Sequence, residues 1–420
     1  MKIQLKLVAA LMLAAALTGA LGVVPSARAV AADEKAEKPT NSKAAAKVLK
    51  AAQDDITAKK YSDAVTKLKD AESLSGKTPY DDYVLYKLLG FAQLKTGDNA
   101  GATKSFETII NSKYMDDKEK PQFIGTLAQL YYQAKNYDKA IDYGTRMVKD
   151  YGGDEKMKTL VSQAYYLKGD YKGAYKYTAG LVDSEIKDGQ TPKENQLELI
   201  LDSCNKLGDN DCVTHSLERL VTYYPKPEYW QNLLYSMFNN KEVTNSDRTL
   251  LDLYRLASDV DVLKRPQDYS EMAELALDQG SPGEARAILE KGFAKNVFTD
   301  QHEKDRATRL LENAKKAAAQ DQATLEKQAK EAAAAPTGDK SIGLGVAYLS
   351  YQQYPKAVEA FNQGLMKGGL KNEAQARLML GIAQLKAGNK EDASKSFHAV
   401  KGDPTLERLA NLWTLHAHQA

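Results

Sequence analysis

Apolar residues recur along this chain at helical spacing, in short runs separated by polar or glycine-containing breaks. One run contains Phe123, Leu127 and Leu130, and after a break a second run contains Ala140 and Ile141. Spacings of three and four residues place such side chains on one face of a helix. Each pair of runs therefore predicts two antiparallel helices joined by a tight turn.

The paired runs repeat about every 36 residues, which is the signature of stacked hairpins in a solenoid. The residues that open the second run are Ala64, Ala102, Ala140, Ala174, Val213, Ala285, Ala357 and Ala393. On each side of Ala285, the distance to the next of these residues is twice the repeat length. Each of these two gaps predicts one degenerate unit, near 227–260 and near 300–336. The second of these is rich in alanine and could instead be a free-standing linker helix, but its register favours a repeat.

The repeated pattern L-G-x-x-Y, then G-x-Y-x-x-A, then F resembles the tetratricopeptide repeat. Its fullest matches are Leu344, Gly345, Tyr348, Tyr354, Ala357 and Phe361, and then Leu380, Gly381, Gly388, Ala393 and Phe397. The resemblance implies an all-α solenoid of about ten hairpins over residues 43–404. An apolar run near the end predicts a capping helix over residues 405–420. Gly345 and Gly381 are expected to allow close approach of Ala357 and Ala393.

The first 29 residues have the composition of a secretory signal peptide. Lys2 and Lys6 precede an apolar run over residues 7–24, and Ala27-Arg28-Ala29 provides small residues for cleavage. A membrane span is the alternative, which the alanine content and the A-x-A ending disfavour. No cysteine lies near the cleavage site, so no thiol is available there for the attachment of a lipid anchor. We expect a cleaved, periplasmic protein without a membrane anchor, and a disordered tail over residues 30–42.

Charge and motifs exclude several function classes. The chain has 58 Lys and Arg against 56 Asp and Glu, so its formal charge is +2, and removal of Lys2, Lys6 and Arg28 changes it to 2 − 3 = −1. That balance argues against a nucleic-acid partner. The five histidines are scattered, and we expect no metal, no cofactor and no catalysis. Gly76-Lys77-Thr78 fits a loose phosphate-binding loop, but it follows a predicted helix rather than a strand and is better explained as a turn.

Cys204 and Cys212 are the only two cysteines. The repeat register places them on either side of a turn at Gly208. In an oxidising compartment we expect a disulfide between them, with two separately packed thiols as the alternative.

In the repeat family the first helix of each hairpin lines the concave side, so the resemblance identifies the residues that would contact a partner. These predicted groove residues are Gln122, Gln129, Tyr132, Gln133, Gln163, Tyr166, Asn195, Asp202, Asn205, Gln231, Asn232, Tyr235 and Asn239. They are amides and aromatics, suited to a peptide backbone. The alternative role of the tyrosines is packing between repeats. The family's Lys- and Arg-based clamp for a terminal carboxylate has no match at these positions.

A narrower resemblance rests on the signal peptide, the repeats, the Tyr223-to-Pro225 turn before Trp230, and Asp403-Pro404 before the last helix. With these features the chain looks like the secreted repeat proteins that are encoded beside TonB energy-transduction components. The implied function is a non-catalytic periplasmic adaptor that binds a protein partner in the cell envelope. The alternative is a factor that binds cell-wall glycan or acts in outer-membrane assembly.

Overall fold

The computed structural model of the protein describes residues 39–419, and all regular secondary structure in this range is helical. This confirms the prediction of an all-α fold built from helix hairpins. The predicted signal peptide and most of the predicted tail lie outside the described residues. Among the described helices, none has the length and apolar character needed to cross a membrane. The chain divides after Thr96 into two compact units.

The first unit contains three helices, α1 (Lys43–Thr57), α2 (Tyr61–Glu72) and α3 (Pro79–Thr96), each packed on the other two. Their apolar faces meet around Leu49, Leu68 and Leu85, all buried. Asp81 is buried beside the start of α1 and accepts a 3.0 Å hydrogen bond from the Ser42 backbone. Burial alone would raise the pKa of Asp81, but hydrogen bonds from Thr78 and Ser42 lower it.

The second unit contains nineteen helices within the described range. They are α4 (Asn99–Ile109), α5 (Lys120–Gln133), α6 (Tyr137–Tyr151), α7 (Glu155–Lys168), α8 (Tyr171–Lys187), α9 (Glu194–Leu207), α10 (Asn210–Tyr223), α11 (Pro227–Phe238), α12 (Lys241–Thr244), α13 (Asp247–Asp259), α14 (Pro266–Asp278), α15 (Pro282–Ala294), α16 (Gln301–Gln322), α17 (Leu325–Ala334), α18 (Asp339–Ser350), α19 (Tyr354–Lys367), α20 (Glu373–Lys386), α21 (Lys390–His398) and α22 (Pro404–Ala417).

The turns within hairpins use a repeated Gly-Asp pair. Gly169 and Gly208 have φ of 85° and 67°, a left-handed conformation that ends α7 and α9. The aspartate that follows each glycine caps the next helix. Asp170 accepts a 2.8 Å hydrogen bond from the Gly173 backbone, and Asp209 accepts one of 3.0 Å from Cys212. The breaks between apolar runs at these two turns therefore coincide with helix ends in the structure.

Within a hairpin, the close approach involves glycine and phenylalanine. A Cβ atom at Gly345 would lie 2.7 Å from the ring of Phe361, and Gly381 stands in the same relation to Phe397. The close approach expected at Gly345 and Gly381 is therefore made most tightly with phenylalanine rings. The phenylalanine four residues after each alanine lies on the same helix face, and its ring fills the space over the glycine.

Successive hairpins bend toward their first helices. Helix α5 contacts α7, α14 contacts α16, and α18 contacts α20. Second helices of neighbouring hairpins are connected through long side chains, as in the pair of Arg219 on α10 with Asp183 on α8. Helices that approach one another more closely lie on the inner side of a curve. At these three places the first helices therefore lie on the inner side of the curve.

The C-terminal helices pack back onto the middle of the second unit. Helix α22 contacts α20 and α21, as a cap over the last hairpin would, but it also contacts α10 and α13. Arg408 of α22 lies 3.4 Å from Ser236 of α11. As a result α13 and α20 are largely buried, and α22 covers α10 and α13, the second helices of their hairpins.

The two predicted degenerate units differ from the other hairpins. In the first, the lengthened turn between α11 and α13 contains the short helix α12. In the second, α16 packs on α14 and α15, while α17 packs on α18. Within residues 39–419, α16 and α17 do not pack along each other as hairpin partners do. The alanine-rich composition explains this, because short side chains bury little area between two helices.

Candidate functional site

The predicted groove residues lie on α5, α7, α9 and the segment from α11 to Asn239, the first helices of four successive hairpins. Exposed members are Gln122, Gln133, Asn195, Asn205, Gln231, Asn232, Tyr235 and Asn239; half-buried members are Gln129, Tyr132, Gln163, Tyr166 and Asp202. The exposed set is available to a partner. The half-buried set is engaged within the protein, as the next contacts show.

Two hydrogen bonds connect the first helices of neighbouring hairpins. The Tyr132 hydroxyl donates to Gln163 Oε1 at 3.0 Å, joining α5 to α7. The Tyr166 hydroxyl bonds the carboxylate of Asp202, joining α7 to α9. Burial and the neighbouring Asp202 charge raise the pKa of Tyr166 above its usual range, so its hydroxyl stays protonated as a donor. These four residues form a ladder along the concave side.

The tyrosines of this ladder also contact the turn of their own hairpin. Tyr132 packs edge-to-face on Tyr137, with ring centroids 6.0 Å apart, and Tyr166 does the same on Tyr171 at 5.3 Å. The rings of Tyr132 and Tyr166 therefore pack within their own hairpins, and only their hydroxyls reach the next hairpin. Their rings form a floor whose side chains are held by contacts within the protein.

Several exposed predicted residues have individual partners nearby. Gln133 lies 3.3 Å from the Asn99 amide, and Gln231 accepts a 3.2 Å hydrogen bond from Lys264. Asn239 donates to the backbone oxygen of Tyr235 in its own segment. The structure thus joins the members on α5, α7 and α9, while those around α11 bond to other parts of the chain.

Tyr235 is the most exposed of the aromatic groove residues. Its exposed fraction is 68%, whereas the other large exposed rings, Tyr151 and Tyr175, are each 38% exposed. A tyrosine ring offers large contact area with little conformational entropy to lose on binding. An exposed ring beside amides such as Gln231 and Asn232 can therefore stack on a partner side chain while the amides bond its backbone.

Sequence reasoning missed an acidic cluster at the edge of this surface. The Tyr229 hydroxyl lies 2.6 Å from Glu194 Oε1 and 2.9 Å from Glu198 Oε1, and Lys226 pairs with Glu194 at 2.6 Å. Burial would raise the pKa of Glu194, but Lys226 and Tyr229 lower it. The 35-residue separation of Glu194 and Tyr229 is close to one repeat, and that spacing was the signal available in the sequence.

Cys204 and Cys212 are joined by a disulfide in the structure, with Cα atoms 5.5 Å apart. The bond spans the turn between α9 and α10. Cys204 is buried, and its sulfur lies 3.5 Å from the Ser216 hydroxyl. The bond therefore fixes the hairpin that carries Asn195, Asp202 and Asn205.

The described residues contain no group of histidine, cysteine and acidic side chains able to hold a metal ion. The loose phosphate-loop motif lies between α2 and α3, two helices. Its Lys77 donates to the Glu72 backbone oxygen at 2.6 Å and pairs with Asp82 at 3.0 Å. This segment is a turn, as expected, with its lysine already engaged.

No family model matches this chain, and no curated protein matches it. Solved structures were found at low similarity. A tetratricopeptide repeat protein from Parabacteroides merdae is 11% identical, with 89% of this chain and 99% of that chain covered and a TM-score of 0.30. The apo form of RapI is 13% identical, with coverage of 73% and 80% and a TM-score of 0.31. The TPR2AB domain of yeast Sti1, solved with a pHSP90 complex, is 15% identical, with coverage of 72% and 100% and a TM-score of 0.24.

Proposed function

We propose that this protein is a non-catalytic adaptor that binds a protein segment along the concave surface of α5, α7, α9 and α11. The observation that carries the proposal is a hydrogen-bonded floor with exposed amides on α5, α7 and α9, together with exposed amides and an exposed tyrosine on α11. The floor is rigid because Tyr132 and Tyr166 are each held by a hydrogen bond to the next hairpin. Rigid surfaces lose less entropy on binding than flexible ones.

The chemistry of the surface favours a peptide backbone over a highly charged ligand. The exposed groove members are six amide residues on helices, Tyr235, and Asn239 at the end of α11. Amides both donate and accept hydrogen bonds, which matches the alternating N–H and C=O groups of an extended chain. A charged partner would require basic or acidic side chains in the middle of this surface. Asp202 is the only charged residue among the predicted groove residues, and its carboxylate is already bonded to Tyr166.

We further propose that the adaptor acts in the periplasm, with the TonB apparatus as a candidate partner. The support is the signal-peptide composition of residues 1–29, the paired cysteines and the sequence resemblance described above. Cell fractionation with mass measurement of the mature chain tests the location. A periplasmic chain beginning at Val30 is expected. A cytoplasmic chain retaining residues 1–29 would contradict this part of the proposal.

Binding to cell-wall glycan is the second candidate function, since amides and tyrosine rings also contact sugars. A binding assay with the purified mature chain separates the two. Isolated wall material is offered either untreated or after protease digestion of its bound proteins, together with a soluble envelope protein extract. Binding that is lost on protease digestion and competed by the extract supports the adaptor. Binding that survives digestion would replace the adaptor with the glycan-binding function.

A further inference from the structure

The two hydrogen bonds of the ladder follow the repeat register. Their donors, Tyr132 on α5 and Tyr166 on α7, each lie four residues before the N-cap of the second helix in their own hairpin. Asn205 has the same place on α9, four residues before the N-cap of α10. The register therefore assigns to Asn205 the connection from α9 to α11.

The second member of each bond also has a fixed place. Gln163 and Asp202 each follow directly after two buried residues of their own first helix. On α11 that place belongs to Tyr235, which follows two buried leucines. Asn205 and Tyr235 are therefore the third pair of the ladder in register.

This third pair is not bonded. Neither the Asn205 amide nor the Tyr235 hydroxyl has a hydrogen-bond partner among residues 39–419, and both side chains are exposed. The order of the two side chains explains the difference. In the bonded pairs a tyrosine extends from the earlier helix, whereas α9 carries an asparagine, which is shorter by a whole ring. We call Asn205 and Tyr235 the open pair.

Helices α9 and α11 are bonded to each other at their other end. The Tyr229 hydroxyl, near the start of α11, lies 2.6 Å from Glu194 and 2.9 Å from Glu198. Beyond Tyr229, no side-chain hydrogen bond joins these two helices within the described part of the chain. Their shared surface is thus fixed at one end and unbonded at the other, where the open pair lies.

The exposed groove residues without a bond of their own are concentrated on these two helices. Side chains with no hydrogen-bond partner among the described residues are those of Gln122, Asn195, Asn205, Asn232 and Tyr235. Four of the five lie on α9 and α11. None carries a charge, and each can both donate and accept. The matching ligand is uncharged and offers donors and acceptors together.

We propose that the open pair receives the main chain of an extended, uncharged protein segment. A peptide unit has one N–H and one C=O group, so it can donate to one member of the pair and accept from the other. The Tyr235 ring, 68% exposed, gives an adjacent side chain of the segment a surface to pack against. This inference rests on the adaptor function proposed above and identifies α9 and α11 as the place where the partner is held.

A backbone-methylation experiment tests main-chain recognition. The probe is a random library of short peptides with acetylated and amidated ends, screened with the purified mature chain. The peptide that binds most tightly is remade with one backbone N–H methylated at a time, which removes a donor without adding charge. We expect methylation at one or two positions to weaken binding about tenfold. In Asn205→Ala one of these losses should disappear, because the group that the N–H contacts is gone.

Matched variants test the location. Tyr235→Ala should weaken peptide binding about thirtyfold, as loss of an aromatic anchor does, and Tyr235→Phe, which keeps the ring, only about threefold. The controls are Tyr175→Ala and Asn210→Ala, exposed residues of the same types on the second helices α8 and α10, and they should leave binding unchanged. All the substituted side chains are exposed, so the variants are expected to fold.

Three results would overturn the inference. The first is an equal effect of every methylation in the unaltered chain and in Asn205→Ala, and the second is recovery of highly charged peptides alone. The third is binding that is lost in Gln122→Ala but kept in Asn205→Ala and Tyr235→Ala, which would leave the adaptor function in place. Absence of any peptide binding would overturn it too, and crosslinking in living cells from Gln122 would then show separately whether the protein is an adaptor.

Discussion

Gln375 donates a 2.7 Å hydrogen bond to Asp252 although 123 positions separate the two residues. Both side chains are buried, and the bond joins α20 to α13. Asp252 also holds Arg255 at 2.6 Å, and Arg255 in turn pairs with Glu284 of α15. Burial opposes the charge of Arg255, but Glu284 and Asp252 raise its pKa and keep it charged. This cluster connects two neighbouring hairpins, which contain α13 and α15, to the distant helix α20.

Asp252→Ala should lower the free energy of unfolding by about 3 kcal/mol or more, because it removes one partner of a buried ion pair and leaves polar groups unpaired. Asp183→Ala is the control, since Asp183 pairs with Arg219 at the surface, and it should cost less than about 1 kcal/mol. Urea unfolding of both variants measures the difference. Equal losses of unfolding free energy in the two variants would show that the cluster does not stabilise the packing of α20 onto α13.

Gly345→Ala should destabilise the protein by about 1 to 3 kcal/mol, because the added Cβ would overlap the Phe361 ring in a packed core. Gly343 lies two residues earlier on the same helix, and a Cβ there meets nothing within 4 Å. Gly343→Ala should therefore be neutral or stabilising by up to about 1 kcal/mol. Thermal and urea unfolding compare the two. A loss of stability in Gly343→Ala equal to that in Gly345→Ala would reject the steric explanation.

The hairpins could be predicted from sequence because their contacts are local. Three- and four-residue spacing locates each helix, and Gly-Asp pairs such as Gly169-Asp170 mark the turns. The closure of α20 and α22 onto α13 could not be predicted, since the pairing of Gln375 with Asp252 follows no repeat spacing. Residues 378–383 are almost all apolar, which is more than one buried helix face requires. This pattern was the available signal that α20 is buried on several sides.

The candidate site was predicted in outline only. The repeat register identified the helices, but it did not show which side chains are bound within the protein. Tyr166 and Asp202, two predicted contact residues, bond each other in the structure. Such pairing depends on the offset between neighbouring hairpins, which a single sequence does not determine.

The stabilising effect of Asp259 should depend on pH. Burial would raise its pKa, but the hydrogen bond from His416 and the charge of Lys386 lower it below the ordinary 3.8. A depressed folded-state pKa means that its contribution is full above pH 3.8 and is lost as the pH falls through the folded value. At neutral pH, Asp259→Asn should cost about 1.5 to 3 kcal/mol.

Urea unfolding of wild type and Asp259→Asn, from neutral pH down to about pH 3, follows this contribution. The stability difference should stay constant at first and shrink at the acidic end. Asp183→Asn serves as the surface control. A difference that grows as the pH falls would contradict the assigned direction of the pKa shift.

Reduction of the Cys204–Cys212 disulfide should lower the free energy of unfolding by about 2 to 3 kcal/mol, because the bond restricts a short loop in the unfolded chain. Urea unfolding with and without reductant measures the effect, with Cys204→Ala/Cys212→Ala as a variant insensitive to reductant. Mass measurement after alkylation without reduction checks the bond itself. Two alkylated thiols in the untreated protein would show that the cysteines are not joined.

Site-specific photocrosslinking in living cells tests the adaptor function most directly. The reactive group is placed in turn at Gln122, Asn195 and Tyr235 on the concave surface, and at Lys172 and Lys176 as exposed controls on the second helix α8. We predict that the concave positions capture the same discrete protein, identified by mass spectrometry, and that the controls do not. Equal labelling from α8, or capture of glycan alone, would contradict the proposal that the first helices bind a protein partner.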